Sequence, residues 1–453
     1  MGLTDHLPGP RTESWRQLLQ RLRAAGLVAP ASRHSPGSLD AHPLVREHFG
    51  QYLRNRAPEA WREANRRLYV HYSISMPRGA ASIPDLMPLY DAMAFGVRAG
   101  QPQAALDDVY WQRLLRKQEQ FSWSRLGAGG LDLAALASFF KRQWNQLIEG
   151  IADKDAGFVF GQAGLYLTLL GRLREALEPY RLGLEQDIRG KNFANASVTA
   201  GNIAATHLKL GELQESLAAA LESVRLADEA RDIDERIISR THAGRACHYL
   251  GRSDEGNRLF EEAEHLHQGT GSPIPFLSGG QGCEYAELLL DGGHWSEVQL
   301  RARRALDTRP RESQLLAYGA AIVQQVRAEG QGDLDQALAY LDQAVELVRA
   351  GAQLDQLPFA LLNRAEAKRY RGDHEGAVED LDEVLQIAGQ SGMRPVEVEG
   401  LLCYARLYLD QGERRKARAA CTNAEGLIER TGYLRRQQEL NRVRSRIGHR
   451  ESA

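Results

Sequence analysis

The sequence predicts an all-α protein built mainly as a helical solenoid. Three observations carry this. A glycine followed by a helix start recurs about every forty residues, a fixed set of small residues recurs with it, and larger apolar residues share their helix face. The beat reads Leu170-Gly171-Arg172, Leu210-Gly211-Glu212, Leu250-Gly251-Arg252, Gly332-Asp333, Gly372-Asp373 and Gly412-Glu413. The intervals 171 to 211, 211 to 251, 332 to 372 and 372 to 412 are each 40 residues, and the beat slips slightly through Gly293. A period of this size marks stacked helix pairs, which present long concave surfaces to partners.

Each unit reads as two helices, A and B, with the glycine in the turn between them, where a positive φ is cheap without a Cβ. Five residues after the glycine stands a small group: Ala176, Ser216, Gly256, Val298, Ala337, Ala377, Ala417. Twelve after it stand Gly183, Ser223, Ala263, Ala305, Ala344, Val384 and Ala424. Nine after it Tyr180, Phe260, Leu341 and Leu381 are large. Seven before it stand Gly164, Ala204, Gly244, Ala286, Ala365 and Ala405, and Gln325 breaks this column in the fifth unit. Spacings of 5, 9 and 12 approximate one helix face. The expected B-to-A connections are Ile188–Lys191, Gln268–Pro275, Thr308–Pro310 and Gly389–Gly392.

The pattern resembles the tetratricopeptide repeat over about 155–430, as seven units with helices or connections longer than usual. The resemblance implies a right-handed α-solenoid with helix A lining the concave side. The expected organisation is 1–75, a partial winged helix; 76–150, a helical linker with degenerate repeats; 151–433, seven repeats; and 434–453, a capping helix and tail. Residues 411–453 hold eleven Arg and Lys against five Glu. Two readings stand for this end, a solvated capping face and a patch for an anionic partner, and the first is expected.

Residues 1–150 do not keep the beat. Helices are expected at Glu13–Leu27, Pro43–Arg54, Pro58–Tyr72, Pro84–Arg98, Gln103–Gln118 and Leu131–Trp144. Gly100, with Ala105 five residues on, reads as a degenerate repeat turn, so the solenoid is expected to begin near residue 84. Pro30–Gly37 reads as a wing, and Ala41-His42-Pro43-Leu44-Val45-Arg46 follows it. This block is similar to the end of the winged-helix domain of STAND-class signalling ATPases, the NACHT and NB-ARC relatives. Trp61–Tyr69, Asp107–Arg113 and Gly432–Arg436 continue the resemblance. It implies the C-terminal part of a bacterial STAND protein, in which His42 contacts nucleotide phosphate and an upstream or separate NTPase domain is a partner. The match at the motif is His42 alone; Ala41 and Pro43 depart from it. No G-x-x-x-x-G-K-[ST] loop occurs, so a fragment, a split gene or an ATPase in another chain are the alternatives.

Composition bounds the rest. The 453 residues are 43% hydrophobic and 26% charged, with net charge −2, which gives no global field for nucleic acid. No apolar stretch approaches a membrane span, and Met1–Pro10 lacks a signal-peptide pattern. Four scattered cysteines fit free thiols and a cytoplasmic protein. Histidine spacings suggest no metal site, and no catalytic constellation or cofactor is expected. The bulky residues Tyr110, Trp111, Phe121, Trp123, Phe139, Phe140 and Trp144 read as core or as a ligand cage. The groove-facing candidates are Asn202, His242, Arg245, Tyr249, Asn363, Glu366, Tyr370 and Arg406, where a protein or peptide ligand would lie. The expected function is a non-enzymatic interaction and sensing module. A freestanding scaffold and a winged-helix transcriptional regulator are the alternatives.

Overall fold

The structure is a computed structural model that describes residues 12–29, 39, 41–74, 81–308 and 312–448. Met1–Pro10, the expected wing Pro30–Gly37, Asp40, and Arg309–Pro310 lie outside the described residues. The chain forms two compact units, residues 1–121 with 148–151, and residues 122–147 with 152–453. Among the described residues, no helix is long and apolar enough to cross a membrane.

The first unit is helical: α1 (Thr12–Ala24), α2 (Pro43–Arg56), α3 (Pro58–Ile74), α4 (Ile83–Arg98) and the short α5 (Pro102–Ala104). The expected helix 103–118 differs: α5 runs into a π-helix, Ala105–Leu114. The wider i→i+5 turn suits the sequence, because the buried pairs Ala105–Leu106, Val109–Tyr110 and Leu114–Leu115 recur every four or five residues. Gly100 takes φ +77, and Ala105 packs so closely on α4 that a Cβ on Gly96 would lie 2.9 Å from its methyl.

The second unit opens with α6 (Phe121–Leu126) and α7 (Gly129–Leu136). The helix expected through Trp144 instead ends in a 3₁₀ turn at Phe139. An antiparallel hairpin of β1 (Phe140–Arg142) and β2 (Gln146–Leu147) follows. Burial explains the departure: Phe140 and Trp144 meet edge-to-face at 5.3 Å, and Phe140 meets Phe160 at 5.6 Å.

Seven helix pairs follow among the described residues: α8 (Asp153–Leu169) with α9 (Leu173–Arg189), α10 (Phe193–Leu210) with α11 (Leu213–Ala230), and α12 (Ile233–Tyr249) with α13 (Ser253–Gln268). Next are α14 (Gly279–Asp291) with α15 (Trp295–Thr308), α16 (Glu312–Glu329) with α17 (Leu334–Ala350), and α18 (Leu357–Arg371) with α19 (His374–Ser391). The last pair is α20 (Arg394–Asp410) with α21 (Arg414–Thr431), and α22 (Gln437–Gly448) caps the stack. This is an α-solenoid of the tetratricopeptide type. The small columns are the contact between A and B. Tyr180 of α9 lies on Gly164 of α8, where a Cβ would sit 2.6 Å from the ring, and Phe260 lies likewise on Gly244 at 3.0 Å. The fifth pair keeps the contact with a shifted register: Leu341 lies on Gly319, not on Gln325, and the left-handed turn residue is Gly330, not Gly332.

The beat is in fact twenty residues. Left-handed backbone occurs at Gly171, Lys191, Gly211, Arg231, Gly251 and Gly271, and again at Ala352, Gly372, Gly392, Gly412 and Gly432. Most of them end a helix in the same way. Arg172 N donates to Leu167 O at 2.8 Å, Asn192 N to Asp187 O at 2.8 Å, and Glu413 N to Tyr408 O at 2.7 Å, the six-to-one bond that satisfies the last free carbonyls. The expected connection Gly389–Gly392 is shorter than read, since α19 continues through Ser391.

Equal helices bring the solenoid back onto itself. Leu354 N donates to Leu169 O at 2.9 Å, and Lys209 of α10 forms a buried ion pair with Asp355 ahead of α18. Leu173 and Leu210 share one apolar cluster with Val345, Leu361, Met393 and Val396. The turn glycines of the early pairs meet the late ones: a Cβ on Gly211 would stand 2.9 Å from Thr431 Cγ2, and on Gly251 2.9 Å from Leu434 Cβ. Nothing lies within 4 Å of such a Cβ at Gly372. Gly372→Ala therefore carries only the left-handed strain, about 1–2 kcal/mol. Gly251→Ala adds a clash between superhelical turns. Urea unfolding is expected to rank Gly251→Ala clearly below Gly372→Ala; equal losses would contradict the contact.

Candidate functional site

Helices α12, α14, α16, α18 and α20 line the concave face, and they enclose a cavity of about 190 Å³. An engineered apolar cavity of roughly 150 Å³ holds benzene, so this space suits one bulky side chain or a small molecule. Five of the eight groove candidates line it: Tyr249, Asn363, Glu366, Tyr370 and Arg406. Arg245 stands behind the wall, with Nη2 donating to Glu287 Oε1 at 2.7 Å and its guanidinium 5.3 Å from the Tyr249 ring. His242 lies further along α12, with Nδ1 3.6 Å from Glu284 Oε1 and its ring against Gly201 of α10. Asn202, on α10, is not part of the cavity; its carbonyl accepts from Thr206 Oγ1 at 2.7 Å.

The cavity has two kinds of wall. One is apolar and uncharged: Leu316 and Gln324 on α16, then Phe359, Leu362, Asn363 and Tyr370 on α18. Asn363 Nδ2 donates to Phe359 O at 2.8 Å, which fixes the amide. The other wall is ionic. Arg406 Nε donates to Glu366 Oε1 at 2.7 Å, and Nη1 donates to Glu439 Oε1 at 2.5 Å. Arg327 Nη2 reaches the same Glu439 oxygen at 3.0 Å. Arg435 donates to Asp291 Oδ2 at 2.5 Å and Glu287 Oε2 at 2.9 Å, and Arg436 to Glu399 Oε1 at 2.6 Å and Asp291 Oδ1 at 2.8 Å. Tyr433 donates to Glu399 Oε1 at 2.6 Å, and its ring lies 4.9 Å from that of Tyr249.

Burial alone would raise these carboxyls, but the guanidiniums outweigh it. Arg406 and Arg369 hold Glu366 at about 2, and Arg406, Arg436 and Arg327 hold Glu439 at about 2. Arg435 and Arg436 likewise hold Asp291 well below the carboxylate range. Burial, with Arg435 nearby, lowers His248, which lies 2.9 Å from Asp291 through Nε2. The Cys283 thiol in the cavity wall is pushed up to about 12 by burial. Among the described residues, no group of three His, Cys, Asp or Glu could hold a metal ion.

The cap departs from the expected solvated face at two arginines only. Arg442, Arg444 and Arg446 are exposed, but the side chains of Arg435 and Arg436 are only 7% and 15% exposed. Sequence periodicity also missed Glu284, Glu287 and Asp291, although their spacing of 3 and 4 on α14 places them on one face. In the first unit, His42 is exposed and caps α2, its Nδ1 accepting from Leu44 N at 3.3 Å. Of the bulky residues, Tyr110 is buried in the first unit, and Phe139, Phe140 and Trp144 are buried in the second.

The family model for anaphase-promoting complex subunit 5 matches residues 186–236 and 321–394. No curated protein matches the chain. Solved structures are similar as well, among them the following three. One is a STAND protein with a tetratricopeptide repeat sensor from Pyrococcus horikoshii, 13% identical, TM-score 0.32, covering 95% of this chain and 60% of that one. The second is a Rap protein complexed with competence and sporulation factor, 9% identical, TM-score 0.35, covering 89% and 98%. The third is the tetratricopeptide domain of P58(IPK), 13% identical, TM-score 0.21, covering 89% and 99%. The chain thus spans about 60% of the length of the Pyrococcus protein.

The carboxylates set a pH dependence. Glu366 and Glu439 titrate at about 2 here against an ordinary 4.5, so their contribution is complete above 4.5 and lost as pH falls toward 2. His248, lowered below its ordinary 6.5, begins to cost stability as pH falls through 6.5. Thermal unfolding midpoints are expected to fall on acidification below pH 6.5, most steeply below 4.5. Glu366→Gln should flatten the lower limb; an unchanged slope would contradict the assignment.

Proposed function

We propose that this chain is a protein-interaction and sensing module that holds a segment of a protein or peptide in its concave groove. The observation that carries this reading is the cavity on the inner face. It combines an apolar and amide-bearing wall, Leu316, Gln324, Phe359 and Asn363, with an ionic wall whose charges are already paired. Such a site recognises shape and hydrogen-bonding groups, and holds no assembled catalytic set.

In the STAND form of this reading, α1–α3 are the remaining part of a winged-helix domain, and the solenoid is the sensor arm for an upstream or separate NTPase domain. His42 would then face nucleotide phosphate through Nε2, since Nδ1 is engaged by Leu44 N. A ligand acts on such an arm only by binding one of its states more tightly.

The test is photo-crosslinking in cells of the source organism, with a benzophenone amino acid at Tyr370 and, as a control, at exposed Arg442. A distinct polypeptide captured at Tyr370 and not at Arg442, and lost in Phe359→Ala, is expected. Capture at both positions alike, or at neither, would overturn the groove reading.

A further inference from the structure

The segment that closes the ionic wall behaves as a bound peptide does. Tyr433–Arg436 is no part of the repeat helices: it follows the left-handed Gly432 and forms one 3₁₀ turn before α22. Its side chains are received by other helices. Tyr433 is fully buried, lies on Tyr249 and donates to Glu399. Leu434 sits over Gly251, where no Cβ interferes. Arg435 lies 5.2 Å over the Tyr249 ring and chelates Asp291 and Glu287; Arg436 bridges Asp291 and Glu399.

The charge balance says the same. The cavity lining holds five carboxylates, Glu287, Asp291, Glu366, Glu399 and Glu439, against two guanidiniums outside the segment, Arg327 and Arg406. Arg435 and Arg436 supply the two further positive charges that bring the lining close to balance. Without them the groove is acidic, with an aromatic shelf at Tyr249. A buried carboxylate stripped of its partner is costly, so the walls require a basic occupant of some origin.

We infer that Tyr433–Arg436 is an internal stand-in for the groove's partner, and that the partner is a peptide segment presenting an aromatic residue followed by two adjacent arginines. This rests on the groove reading above and specifies its ligand. Because the tethered segment competes at an effective concentration on the order of millimolar, an external peptide binds the closed form weakly and the opened form well. Displacing the segment frees the cap, which gives the module two states.

The probe is a fluorescein-labelled peptide of sequence Tyr-Leu-Arg-Arg-Gln-Gln-Glu, titrated into the full chain. The double substitution Arg435→Ala/Arg436→Ala is expected to bind it at least tenfold more tightly than the unsubstituted chain. Added salt should weaken this binding, and a further Asp291→Asn should abolish it. In the unsubstituted chain, excess peptide should speed amide hydrogen exchange across 437–448, while a copy with both arginines replaced by glutamate should not. This second arm needs no variant to fold. A double variant of intact helicity that gives no tighter binding, or exchange in 437–448 unmoved by excess peptide, would overturn the inference. A partner captured at Tyr370 that leaves exchange in 437–448 unchanged would sustain the groove reading and overturn this one.

Discussion

The left-handed residue that ends each helix is the constraint on which the solenoid depends. It recurs every twenty residues through the first three pairs and the last two, and it makes those helices nearly equal in length. Equal helices rotate each pair against the next by a constant step. A constant step lets the superhelix return in register, so that Leu169 meets Leu354, Lys209 meets Asp355, and Gly251 meets Leu434. The two shortest repeat helices, α14 and α15, and the shifted fifth pair lie where this beat is interrupted. The cavity opens there, between α14, α16 and α18.

The contact between superhelical turns is what makes the groove an enclosed site. An open solenoid leaves its concave face to water, where ion pairs are worth little. Here the side chains of Glu366, Arg406 and Glu439 are only 18%, 11% and 12% exposed, so the same charges are less screened and hold one another within hydrogen-bond distance.

Much of this was legible in the sequence. The A-to-B turns announce themselves because glycine fills all seven left-handed sites, and the large-on-small pairs Tyr180–Gly164 and Phe260–Gly244 follow from the columns. The half-period was hidden because Lys191, Arg231 and Ala352 take the same backbone conformation without glycine's signature. The fifth pair was misread because its turn glycine moved to 330 while Gly332 kept the spacing. Helical periodicity singled out Glu366 and Arg406, which line the cavity. It was blind to their partners, because a contact such as Arg435 with Asp291 joins residues 144 apart. The cap arginines carry no local sign of burial; only the returning turn covers them.

The most direct test of the closed superhelix is a double-mutant cycle on Lys209 and Asp355, a buried pair 146 residues apart in sequence. Unfolding free energies would be measured for Lys209→Met, Asp355→Leu and the double substitution. Breaking a buried pair at one side costs roughly 3–5 kcal/mol, whereas replacing both partners with apolar groups costs much less. The account predicts that the double substitution recovers at least about 2 kcal/mol relative to the sum of the single losses. Additive losses would mean that the two superhelical turns do not touch in solution, and would contradict the account.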